Sequence, residues 1–112
     1  MSAIVELANR LGKAIAESPQ AVKMRAAREE LSKHSDVTQL LKDYQAMAEK
    51  VGRLEEEKKP VEVADKHALA AIQNRLVASE VFKAYTAAQV DYIDMMRQVN
   101  QTLQKCLAET EK

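Results

Sequence analysis

The chain has 112 residues, with seventeen basic and seventeen acidic side chains, two glycines, two prolines and one cysteine. A neutral balance removes any long-range pull toward nucleic acid or anionic lipid, and a single thiol excludes an internal disulfide. The longest apolar run, residues 68–72, falls far short of the ~20 residues of a membrane span.

Scarce Gly and Pro with abundant Ala, Glu, Lys and Gln is a helix former's composition. Ile4 and Val5 are followed at once by Glu6, which is not the apolar core of a signal peptide. The expectation is one all-α domain over residues 1–112, in the cytoplasm. No alternation of period two and no Asn-Gly or Asp-Gly turn argues for strands.

The first helix is predicted from about Ser2 to Glu17. Ile4, Leu7, Ala8, Leu11 and Ile15 recur at steps of three and four and form one stripe. Gly12 lies inside this pattern and costs ~1 kcal/mol against Ala. Close approach by a neighbouring helix is the expected reason for it. Ser18-Pro19 then breaks the chain: Ser18 suits an N-cap and Pro19 the first turn. The second helix runs to about Lys33, with the weaker apolar set Val22, Met24, Ala26, Ala27 and Leu31.

His34-Ser35-Asp36 is the next break, with Ser35 or Asp36 as the expected cap. The third helix runs from about Asp36 to Lys58 and carries Val37, Leu40, Leu41, Tyr44, Met47, Ala48, Val51 and Leu54. Those steps fit a coiled-coil seam as well as a single amphipathic helix. Glu55 and Lys59 are placed as an i,i+4 pair. Pro60 ends the helix, since the residue before proline avoids the helical basin.

A fourth helix, about Val61 to Ala78, presents Ala64, Ala68, Leu69, Ile72 and Leu76. The short connection predicts that it packs antiparallel on the third. Ser79 is a plausible N-cap for the last helix; without a true break there, the fourth and fifth helices merge. The last helix runs to about Ala108, its stripe formed by Val81, Phe82, Tyr85, Ala88, Tyr92, Met95, Met96, Val99, Leu103 and Cys106. Tyr85, Tyr92, Val99 and Cys106 repeat at seven, the heptad signature. The predicted architecture is an antiparallel bundle or hairpin of about five helices with a long C-terminal one.

Length adds a consequence. At 1.5 Å per residue the last helix is ~45 Å long, whereas a compact chain of this size is ~35 Å across. Part of its stripe needs cover from another chain, because extended apolar patches mark interaction sites. A homo-oligomer is expected, a two-fold dimer being its simplest closed form. The candidate interface residues are Leu40, Tyr44, Met47, Val51, Tyr85, Tyr92, Met96, Val99 and Leu103.

Catalytic and metal-binding patterns are missing. Neither His34 nor His67 has a Glu three residues before it, so the di-iron pattern fails, and no His-Glu-x-x-His occurs. There is no nucleophile elbow and no Gly-rich phosphate loop. Cys106 is read as a small apolar residue of the last stripe. Asp91 and Asp94 are read as a solvated face. No catalytic residue, metal ligand or cofactor is expected. The basic stretch Lys23, Arg25, Arg28 and Lys33 offers a weaker alternative, a helical RNA-binding module, but it lacks aromatics and is interleaved with Glu29 and Glu30. A structural coiled-coil subunit of a larger assembly is the third reading.

The order of these segments resembles the YlbF/YmcA (YheA-like) group of small bacterial regulators. "IVELANRLGKAIAESP" is similar to that family's opening helix and break. "AAREELSKHSDVTQLLKDYQAM" resembles its helix, break and leucine-paired helix, and "IQNRLVASEVFKAYTAAQVDYIDMMRQVNQTL" its closing long helix. The resemblance implies a self-associating helical bundle and a non-enzymatic adaptor in complexes linked to competence, sporulation, biofilm formation and messenger-RNA cleavage. Some such complexes hold iron–sulfur clusters through cysteines. Cys106 alone cannot hold one. Ala78-Ser79 stands where the family carries Asn-Pro or Asp-Pro, which makes a continuous helix at that point more plausible here than in the family at large.

Overall fold

The computed structural model describes residues 2–110 as five α-helices. These are α1 (Ala3–Glu17), α2 (Pro19–Ser32), α3 (Ser35–Glu56), α4 (Val63–Val77) and α5 (Glu80–Thr110). No strand occurs among the described residues. Internal contacts divide the chain into two compact units, one of Met1–Arg28 with Tyr85–Lys112, the other of Glu29–Ala84.

In the first unit, Ser2 caps α1 by accepting from the Ile4 amide at 3.1 Å. Ser18 serves both sides of the next break. Its hydroxyl donates to the Ile15 carbonyl at 2.6 Å and accepts from the Ala21 amide at 3.1 Å, so it caps α2 as its sequence predicts. The Arg25 guanidinium donates to the Ala16 carbonyl at 2.9 Å, satisfying an end carbonyl of α1. Buried here are Ala21, Met24 and Ala88. α1 runs against α5 in the opposite direction: Ile15 shares a trough with Tyr92, and Leu11 shares the next with Val99 and Leu103.

In the second unit, α3 packs on α4 as an antiparallel hairpin. All eight residues of the predicted α3 stripe are buried or half-buried, and among the other α3 positions only Thr38 joins them. The buried side chains are Leu31, Val37 and Leu76. The hairpin turn differs from the proline-terminated stop that the sequence predicts. α3 ends at Glu56, where Lys58 adopts the left-handed conformation with φ 58°. The Lys59 amide then donates to the Leu54 carbonyl at 2.8 Å and the Lys58 amide to Glu55 at 3.1 Å. This is a Schellman motif, which satisfies the last carbonyls before Pro60 is reached. Because Lys59 lies beyond the helix, it pairs with Glu57 at 3.0 Å and not with Glu55.

One further expectation is corrected. Neither Ser35 nor Asp36 is the cap of α3. The N-cap is His34, which makes no side-chain capping bond, so Ser35 and Asp36 sit in the first turn, where the Asp36 charge complements the helix dipole. The break left open at Ala78-Ser79 is present: α4 stops at Val77, and the Phe82 amide donates to the Ser79 hydroxyl at 3.2 Å, so Ser79 caps α5 as its sequence suggests. A serine cap makes the break without proline.

Candidate interaction surface

α1 carries the plainest anomaly. At 100° per residue its apolar residues span an arc of about 200°, and Glu6, Arg10, Lys13 and Glu17 crowd into about 60°. A helix facing one neighbour needs only a ~100° stripe. Yet α1 has no buried residue; Ile4 is 78% exposed and Leu7 60% exposed. Gly12 sharpens the point. A Cβ there would meet nothing within 4 Å, so the expected close approach is not made within this chain.

The end of α5 lies open in the same way. Every residue from 100 to 110 is exposed, Leu103 and Leu107 included. Ile4, Val5, Leu7 and Leu11 of α1, with Leu103 and Leu107 of α5, gather most of the large exposed apolar side chains into one unit. Val22, Val63 and Val77 are scattered singly on other helices, which needs no explanation.

The interface candidates divide accordingly. Leu40, Tyr44, Met47 and Val51 are half-buried on the hairpin helix α3. Tyr85, Tyr92, Met96 and Val99 are half-buried on α5, and Leu103 is exposed. Ile93 and Leu107, absent from the predicted stripe, are 48% and 60% exposed. Their signal was present in the spacing, but assigning α5 a single stripe hid it.

Among the described residues no polar or charged side chain is buried. No three His, Cys, Asp or Glu side chains among them gather to hold a metal. Cys106 is exposed and has no companion ligands, so these residues do not fit an iron–sulfur cluster, which takes four. His67 is exposed on α4. Of the basic stretch, Arg25 is engaged with Ala16, while Lys33 lies 3.8 Å from Glu30, which the neighbouring His34 also approaches at 3.3 Å. Among the described residues no helix is long and apolar enough to cross a membrane.

These features define an all-helical chain with a thin core and broad uncovered apolar helix surface. The chain belongs to the YlbF/YmcA family, described as control of competence regulator ComK, whose family model matches residues 4–108. The family is one of regulatory proteins. No curated protein shows significant sequence similarity to the chain.

Proposed function

We propose that this protein is a non-enzymatic regulatory adaptor of the cytoplasm that self-associates and acts by modulating partner proteins, in the control of competence that its family's description names. The observation that carries this reading is surface area. The chain exposes 8735 Å², whereas two separate compact bodies of half its mass expose together only ~7,400 Å².

The surplus is therefore at least ~1,300 Å², against ~800 Å² covered per partner in a standard interface. Among the described residues six apolar side chains are buried, none less than 2% exposed, which makes a poor core. Cover from further chains supplies what the chain's own core lacks.

Light scattering on the purified chain at micromolar concentration tests the self-association. More than one chain per particle is expected, and a clean monomer sinks it. Affinity purification from the native cell tests the adaptor role: defined protein partners in fixed ratio support it. Recovery of the chain with RNA alone, lost in high salt, turns the reading to the nucleic-acid alternative.

A further inference from the structure

α5 carries a second seam. Ile93, Met96, Asn100, Leu103 and Leu107 follow one another at steps of three, four, three and four, the a/d spacing of a coiled coil. Gln89 stands one step of four before Ile93, so the apolar line begins at Ile93. This line is turned about 70° round the helix from the half-buried one through Tyr92 and Val99. Ile93, Leu103 and Leu107 are 48%, 49% and 60% exposed. The hollow along its middle is walled by α5 residues alone, Tyr92, Ile93, Met96 and Asn100 among them. No other helix of the chain lines it.

Asn100 identifies the occupant. One asparagine in an otherwise apolar a/d seam weakens burial but sets register and number of strands, because its amide needs a matching amide opposite. Asn100 is also the midpoint of the line, with Ile93 and Leu107 seven residues to either side. A second copy brings an apolar seam of the same length with an amide at the same height. Charge does not oppose this. Arg97, beside the seam, is neutralised by Asp94 at 3.2 Å, and the whole chain is neutral. The surplus surface also exceeds what one side of a stable dimer covers.

We propose that α5 pairs with α5 of a second copy through this seam, Asn100 meeting its own counterpart across a two-fold axis. The inference rests on the self-association reading and names its surface.

Light scattering and thermal unfolding of four proteins test it: wild type, Ile93→Asp, Asn100→Leu and Lys105→Ala. Ile93→Asp falls to the mass of one chain with its helical circular dichroism retained. Asn100→Leu tightens association roughly tenfold, or yields larger particles, because a buried amide is removed from the seam. Lys105→Ala, on the opposite side of α5 from the seam, changes neither mass nor midpoint. A monomeric wild type overturns this inference together with the self-association reading. An oligomeric wild type whose mass and association withstand both Ile93→Asp and Asn100→Leu overturns the seam alone. Should Ile93→Asp unfold, Asn100→Leu decides, since it adds no buried charge.

Discussion

The Lys50 ammonium stands 3.2 Å from the Asp65 carboxylate, joining α3 to α4 across the hairpin, with the lysine side chain 52% exposed and the aspartate 14%. Such a pair helps set which faces meet, but its strength is limited by the water around Lys50. Lys50→Met is expected to cost less than ~1 kcal/mol. Leu76→Ala, at a side chain only 3% exposed, is expected to cost ~2–5 kcal/mol. Urea unfolding of the two variants in parallel checks the order, and a larger loss from Lys50→Met would refute it.

Lys58 holds a conformation that suits glycine. Its φ of 58° places Cβ against the following carbonyl, a penalty of ~1–2 kcal/mol for an L-residue. Lys58→Gly removes that penalty while leaving the Schellman hydrogen bonds intact. A rise in the thermal midpoint is expected; a fall would mean the lysine side chain makes a contact that outweighs the strain.

The break before α5 depends on one hydroxyl. Ser79→Ala leaves the Phe82 amide without its acceptor, at an expected cost of ~1 kcal/mol. Ser79→Asp restores an acceptor and adds a charge favourable to the helix N-terminus. Equal midpoints for the Ala and Asp variants would show that the cap contributes nothing.

Gly12 gives a reading that depends on assembly. In the single chain, Gly12→Ala meets open space and should stabilise α1 by ~1 kcal/mol. If a partner's backbone lies close against α1, the added methyl weakens association instead. Midpoints measured over a hundredfold range of concentration separate these outcomes, since only the second changes with dilution.

Val99 lies half-buried on α5, beside Leu11 in the trough between the two helices. Val99→Asp sets a charge against that apolar lining, and the unpaired charge is costly to bury. Loss of helicity or dissociation is expected in circular dichroism and light scattering. Wild-type mass and midpoint would show that the residue faces water.

Helix spans were legible because period and punctuation are local. Ser2, Ser18 and Ser79 cap by hydrogen bonds to amides two or three residues on, an interaction written into the chain at short range. The α3 stripe was legible for a related reason: one neighbour, α4, covers one stripe, and every predicted position is covered. The end of α3 was read less well, since a lysine at positive φ stands where the pattern leads one to expect the proline to act. The α1 stripe and the second seam of α5 resisted reading because periodicity shows which residues share a face, not whether anything lies against it.

The sequence by itself determined the helices, the serine caps at Ser18 and Ser79 and the apolar faces, since these follow from propensity, period and hydrogen bonds within a few residues. Only the tertiary structure decided which faces are filled from within the chain. α3 meets α4, while α1, from Ile4 to Leu11, and α5, along Ile93, Leu103 and Leu107, keep much apolar surface in water. Burial is a property of what stands opposite a residue, and that depends on segments far apart in the chain.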